Sequence, residues 1–246
     1  MIRTYRFRLF PKKGQVTTLN NQFELCRKCY NDLLDIRKQD ILNWKDQGYY
    51  ESKKLLPKWK KQSGIFQLKT VHSQVLQNIC ERVDKAIKQY RKNQKQDKEH
   101  IAVIPRFKGK RGLHSITYPQ YGSGIQIKGS DLEISKVGRI KILQHREMKG
   151  IPKTVTIVKS RTDKWFACIT CEVPDVEPKP IESSVGIDLG LTSFIMKDDG
   201  SKIDHPGFIE KSKAKIKKLN NKFRRNNYND KTRKALSHAY EKLANQ

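Results

Sequence analysis

A carboxylate placed inside an apolar run is costly unless it is paired or holds a metal ion. Asp188 is such a residue, in the run Ser184-Val185-Gly186-Ile187-Asp188-Leu189-Gly190. Two-metal phosphodiester cleavage uses several carboxylates to hold ions that activate the water and stabilise the leaving oxygen. An aspartate on the first strand of a sheet is a suitable first ligand for Mg2+ in such chemistry. The same Gly-x-Asp-x-Gly pattern also fits a turn residue that caps local backbone, and one carboxylate alone does not separate the two readings.

The cations are more numerous and more telling. Lys plus Arg number 52 against 25 Asp plus Glu, a formal net charge of +27. Self-repulsion at that charge destabilises a lone compact chain, which favours nucleic acid as the partner over an anionic membrane surface. Arg106, Phe107, Lys108, Lys110 and Arg111 form one cluster, with an aromatic among the cations. Lys211, Lys213, Lys215, Lys217, Lys218, Lys222, Arg224 and Arg225 form another. Such sets neutralise phosphates without reading sequence, and the binding weakens with salt. Any single lysine among them also reads as an ordinary solvated charge.

No apolar run approaches the ~18 residues of a spanning helix, and no signal peptide opens the chain. The expectation is a cytoplasmic protein with no membrane partner. Five cysteines stand at 26, 29, 80, 168 and 171. An odd count without a secretory signal suggests reduced thiols. Cys26 and Cys29 share a helical face. Cys168 and Cys171 lie three apart in an alternating strand and so point to opposite faces, and zinc is not expected in this chain.

The elements that must position these groups follow from periodicity. Residues 2–10 alternate, with Arg3, Tyr5, Phe7 and Leu9 on one face and Thr4, Arg6, Arg8 and Phe10 on the other. This is a half-buried strand with a cationic outer edge, ended by Pro11. Leu19, Phe23, Cys26, Tyr30, Leu33 and Leu34 recur at helical spacing. The stretch from Gly48 to Gly64, with Pro57 and scattered lysines, reads as a loop with short helical pieces. A second helix is expected from about Val71 to Lys95, with the stripe Val75, Ile79, Val83, Ile87 and Tyr90. From Ile104 to Val173 short β runs alternate with Gly-rich turns, including 125–127, 132–134, 139–142, 154–158 and 165–171. With the first strand these suit a small β-barrel carrying a helical insertion. Three prolines between Pro174 and Pro180 read as a linker. Beyond Asp188, Asp199-Gly200 makes a hairpin turn, and a basic helix starts near Glu210 and resumes after Asn229.

Gly186-Ile187-Asp188-Leu189-Gly190, the hairpin and the basic helix together resemble the first catalytic motif of the RuvC-like nuclease domain in the TnpB (OrfB) family, relatives of type V CRISPR effectors. Tyr5-Arg6-Phe7-Arg8-Leu9-Phe10-Pro11, Cys29-Tyr30-Asn31, Ser73-Gln74-Val75-Leu76-Gln77, Pro105-Arg106-Phe107-Lys108 and Phe166-Ala167-Cys168 through Cys171-Glu172-Val173 resemble further landmarks, in the family's order. The resemblance implies an α+β fold: a wedge-like β-barrel with an inserted helical recognition lobe, then the first part of an RNase H-like domain. Residues 1–11 would be the first barrel strand, 12–104 the helix-turn-helix-like lobe, 105–175 the rest of the barrel, and 176–246 a partial RuvC-like domain. It also implies a guide RNA from the transposon end and target double-stranded DNA as partners. Gln77, with Ser73, matches a family position that reads the DNA motif beside the target, and Gln bonds bidentately to adenine edges. Tyr121 falls near a second such position. Arg6, Arg8, Arg106, Lys108, Lys110, Arg111, Lys217, Lys218, Lys222, Arg224 and Arg225 would contact nucleic-acid backbone. Asp188 would be a catalytic ligand for Mg2+.

Such nucleases add a Glu and an Asp from two later motifs and a zinc ribbon between them. After Asp188 this sequence has acids only in turns, loops or basic helices, and its last residues lie in a helix that the family continues. The expectation is an amino-terminal part that binds guide RNA and DNA and does not cut DNA alone. A short RNA-guided DNA-binding or repressor protein without cleavage, and an RNA-independent DNA-binding transposition accessory, remain open.

Overall fold

The computed structural model describes residues 1–42, 48–61, 66–96, 103–110, 112–175, 177, 183–190, 193–204 and 207–245. They divide into two compact units, Met1–Pro174 and Asp175–Gln246.

The first unit is built around strand β1 (Ile2–Phe10). Its inward side chains Tyr5, Phe7 and Leu9 are buried, while Arg6 and Phe10 are exposed. Arg3, at the start of the strand, also stays exposed. Helix α1 (Lys13–Leu42) follows and buries all six apolar positions of its helical stripe. Helix α2 spans Tyr49–Lys61 as one continuous helix, where a loop with short helical pieces was expected from Gly48 to Gly64; residues 62–65 lie outside the described residues. Pro57 removes one donor from that helix. Leu56 is nevertheless buried, and Tyr49, Leu55 and Trp59 pack on the main core. Packing of an apolar face thus outweighs the local signal. A short 3-10 turn (Phe66–Thr70) leads to helix α3 (Ser73–Gln96). Val75, Ile79, Val83 and Ile87 are buried as their spacing predicts, and Tyr90 is half-buried.

The remaining strands of this unit are β2 (Ser115–Tyr118), β3 (Ile125–Lys128), β4 (Asp131–Ile134), β5 (Gly138–Leu143), β6 (Ile151–Lys159) and β7 (Trp165–Glu172). With β1 they form a seven-stranded antiparallel sheet in the order β2-β6-β7-β1-β5-β4-β3, a nearly closed barrel. The first strand in sequence is central: Tyr5 opposes Ile169 and Phe7 opposes Ala167 on one side, and Leu9 opposes Ile142 on the other. The helices close onto the barrel through Phe23, whose ring meets Trp165 edge-on at 5.5 Å. One apolar cluster runs through α1, α3 and the strands.

In the second unit β8 (Ile187–Asp188), β9 (Ser193–Lys197) and β10 (Lys202–Asp204) form an antiparallel sheet in the order β10-β9-β8. Gly200 takes φ 80° in the turn after Asp199, a conformation that glycine adopts without steric cost. Asp188 opposes Met196, and Met196 opposes Lys202, so these three share a face. Ile187, Ile195 and Ile203 lie on the other, where Ile187 is 57% and Ile203 49% exposed. Helices α4 (Phe208–Arg225) and α5 (Asp230–Ala244) pack on each other. The side chain of Asn229 caps α5 by accepting from Lys231 N–H at 2.7 Å. No helix among the described residues is long and apolar enough to cross a membrane.

Candidate nucleic-acid interface

Two families of side chains gather on the first unit. On the outer face of the barrel, register sets Arg6 opposite Cys168 and Arg8 opposite Phe166. The Arg6 guanidinium lies 3.9 Å from the Phe166 ring centre, and that of Arg8 lies 5.1 Å from it. Arg8 also donates to the Trp165 carbonyl at 3.4 Å. A guanidinium stacked on an aromatic ring keeps its donors in its own plane and directed outward, ready for phosphate. Cys168 is half-buried on this outer face and Cys171 is buried on the inner one, the opposite placement that an offset of three along a strand dictates.

The basic loop after α3 is held by α1. Asn31 Oδ1 accepts from Lys108 N–H at 2.7 Å, and its Nδ2 donates to the Lys108 carbonyl at 3.0 Å. Arg27 Nη1 adds a second donor to that carbonyl at 2.8 Å. Two sequence landmarks, Cys29-Tyr30-Asn31 and Pro105-Arg106-Phe107-Lys108, are therefore one structural feature. Arg106 and Lys110 are exposed, and Phe107 is exposed with Lys38 Nζ 4.1 Å from its ring centre. Arg111 lies outside the described residues. Neither Arg27 nor Lys38 carried a signal of its own in the sequence; Asn31 stood within a landmark.

At the start of α3, Ser73 is exposed and its Oγ accepts from Lys60 Nζ at 2.9 Å. Gln77 lies one turn further on, half-buried, with no hydrogen-bond partner among the described residues. Tyr121 is tied into its own loop: its N–H donates to the Lys153 carbonyl at 2.8 Å, and its hydroxyl accepts from Ile127 N–H at 2.9 Å. Gly124, at φ 80°, lets that loop pass against His72, whose ring would lie 2.5 Å from any added Cβ. Burial, with Lys60 and Lys136 nearby, lowers the His72 pKa and favours the neutral ring. Gln77 thus has donor and acceptor both unused, whereas Tyr121 and Ser73 are partly engaged.

In the second unit Lys217, Lys218, Lys222, Arg224 and Arg225 are exposed along α4, with Lys211, Lys213 and Lys215. Asp188 is exposed on its two-residue strand. The nearby Asp198 is committed to backbone, its Oδ2 accepting from Gly186 N–H at 3.0 Å. Among the described residues no group of three or more His, Cys, Asp or Glu side chains is arranged to hold a metal ion. The described residues do not by themselves fit a divalent-ion centre, and Asp188 stands among them as an exposed carboxylate.

A family model described as a helix-turn-helix domain, HTH_OrfB_IS605, matches residues 1–43. The chain is 26% identical over 222 residues to a protein of Streptomyces pristinaespiralis named Putative RNA-guided DNA endonuclease, covering 88% of this chain and 53% of that protein. It is 25% identical over 220 residues to Putative RNA-guided DNA endonuclease InsQ of Escherichia coli K12, covering 89% of this chain and 52% of that one. The chain spans about half the length of these curated relatives. A looser likeness joins it to a chain of the Cas12f1-sgRNA-target DNA complex, with TM-score 0.37 and 14% identity over 100% of this chain and 65% of that one. The model at the start of the chain and the two relatives aligned along most of it point the same way: the chain is similar to TnpB-type proteins.

Proposed function

We propose that this chain binds a guide RNA and target double-stranded DNA as the amino-terminal part of an RNA-guided DNA endonuclease, and that it does not cleave DNA by itself. The observation that carries this reading is the alignment, over 88% of the chain, with a protein named for RNA-guided DNA cleavage. The wedge-like barrel with its Arg6–Phe166–Arg8 stack, the α1-held loop at Arg106 and Lys108, and the cations of α4 are the backbone-contacting surfaces. Gln77, with Ser73 beside it, reads the motif next to the target. Asp188 is the ligand the chain contributes to a RuvC-like centre, where Mg2+ held by further carboxylates would supply charge stabilisation and water activation.

The test is to purify the chain from its host at moderate salt, digest with DNase, and sequence the RNA that remains. One dominant RNA from the flank of its own gene supports the reading. A chain that stays folded and binds duplex DNA with no enriched RNA overturns it in favour of an RNA-independent accessory. Site-specific cleavage in Mg2+ that Asp188→Ala abolishes would overturn the claim that the chain does not cut alone.

A further inference from the structure

Helix α3 carries Gln77 near its amino end, and two polar clamps fasten this part of the helix to the barrel on the β2 side. The first is an amide pair: Gln74 Nε2 donates to Gln120 Oε1 at 2.9 Å, across 46 residues of chain. The second is the fork of Arg82. Its Nη1 donates to the Ser115 carbonyl at 2.8 Å and its Nη2 to Thr117 Oγ1 at 2.7 Å, while Nε donates to Asn78 Oδ1 on α3 itself at 2.9 Å. Thr117 passes the contact on to Thr156 of β6 at 2.9 Å. Gln74 and Arg82 are eight residues apart, about 12 Å of helix, and Gln77 lies between them.

The apolar contacts of α3 do not supply the same constraint. Val75, Leu76, Ile79 and Cys80 are fully buried and set which face of the helix turns inward, but the apolar driving force itself is non-directional and does not set the fine rotation as directed bonds do. Hydrogen bonds weaken steeply with angle and distance, and a planar fork holding two strand groups fixes rotation and height together. Gln74 is not itself suited to reading a base. One of its Nε2 hydrogens is engaged by Gln120, and its Oε1 is buried without a partner among the described residues and so closed to a base edge.

We infer that Gln74 and Arg82 are positioning residues that set the rotation of α3 against the barrel and so aim the Gln77 amide at a base edge. This rests on the reading that Gln77 contacts a base. Bidentate amide–base recognition needs both hydrogen bonds aligned at once, whereas phosphate contacts through long cationic side chains tolerate a loosened helix. Loss of either clamp therefore removes sequence preference and spares general affinity.

The experiment uses the full chain, purified with its co-purifying nucleic acid retained. A duplex DNA library with a short randomised window is selected for binding, and dissociation constants are measured for the enriched duplex and a scrambled one. Gln77→Ala is expected to lower the preference for the enriched duplex roughly tenfold. Gln74→Ala and Arg82→Lys lower it by a similar factor while binding to the scrambled duplex stays within about twofold, because the phosphate contacts remain. Gln120→Ala reproduces Gln74→Ala, and the double variant adds nothing further, as one shared hydrogen bond requires. A wild-type chain with no preferred sequence overturns the base-reading assignment, and this inference with it. Preference lost in Gln77→Ala and kept in both clamp variants overturns the inference alone. Equal weakening on both duplexes marks a merely structural role and also overturns it. Should Arg82→Lys not fold, the exposed amide pair decides by itself.

Discussion

Individual side chains show how local charge and burial set chemistry in this chain. Glu133 accepts from Lys128 at 2.7 Å and from Gln126 at 3.0 Å. Those bonds, Lys128 first, hold its carboxyl at about 2, below the ordinary 4.5. Its folded-state value is depressed, so its contribution is present above the ordinary value and is lost as pH falls from 4.5 through about 2. Carbon-detected NMR titration should place the Glu133 midpoint near that lower value, and Lys128→Ala should return it toward the ordinary one. The thiols divide in the same physical way. Burial pushes Cys26 up to about 12 and Cys80 up to about 11, and alkylation requires both thiolate and access. Brief treatment of the native chain with iodoacetamide at mild alkaline pH should therefore label Cys168 first and leave Cys26 and Cys80 unmodified, by mass spectrometry of the digest. Labelling of Cys26 at the rate of Cys168 would contradict that burial. Asp188 was legible as an acid among apolar residues, yet it stands exposed on a short strand. Pattern alone states that a carboxylate is expensive to bury; it does not state whether neighbours arrive to bury it. Gln74, Arg82 and Gln120 were illegible as partners because their contacts join positions far apart in sequence.

At the scale of elements, periodicity carried most of the fold. The strict alternation of β1 and β7 set their inward faces, and the stripe of α3 set its buried side. Helix α2 escaped because Pro57 and the lysines mask an apolar face whose partners lie elsewhere in the chain. Strand β2, Ser115–Tyr118, was not read from the sequence, although β3 and β4 are equally short. Between α1 and α3 the sequence also conceals a buried ion pair: Arg37 Nη2 lies 3.5 Å from Asp84 Oδ1, and both side chains are buried. Lys88 reaches the other oxygen of Asp84 at 2.9 Å. Removing Asp84 leaves the Arg37 guanidinium buried without its carboxylate, at a cost of about 3–5 kcal/mol, whereas removing Arg37 leaves Asp84 still paired with Lys88. Asp84→Leu should therefore lower the midpoint of thermal unfolding clearly, and adding Arg37→Met should recover much of the loss; a double variant no more stable than Asp84→Leu alone would contradict this. Helix α4 offers a prediction for binding. Every phosphate that a lysine no longer neutralises reduces the slope of log affinity against log salt by about 0.9 on duplex DNA. Replacing Lys218 and Lys222 with Ala should flatten that slope by up to about two such increments, while an unchanged slope would return these lysines to the class of solvated charges.

For the molecule as a whole, stability is concentrated in the first unit. Every member of the continuous apolar cluster lies between Tyr5 and Cys171. Among the described residues of the second unit, only Ile216 and Ala239 are buried hydrophobics, and both belong to its helices. Its sheet leaves Ile187, Phe194, Met196 and Ile203 exposed, on strands of two, five and three residues. Short strands with open apolar faces do not sustain independent folding, and local opening concentrates where apolar burial is sparse. The fragment Met1–Pro174 should therefore unfold cooperatively with nearly the same thermal midpoint as the full chain. Amide exchange should be slow in β1, β6 and β7 and fast in β8 and β10, and the full chain should bind a hydrophobic dye that the fragment does not. A second unit protected as strongly as the barrel would refute this division. The division also bears on the proposed chemistry, because a carboxylate on so lightly buried a sheet needs further packing to be preorganised for an ion. The proposed backbone contacts at Arg6, Arg8 and Lys108 lie in the first unit, and Asp188, the proposed metal ligand, lies in the second. Any polypeptide or nucleic acid that covers the open sheet should raise the amide protection of Asp188 before it changes that of Phe7.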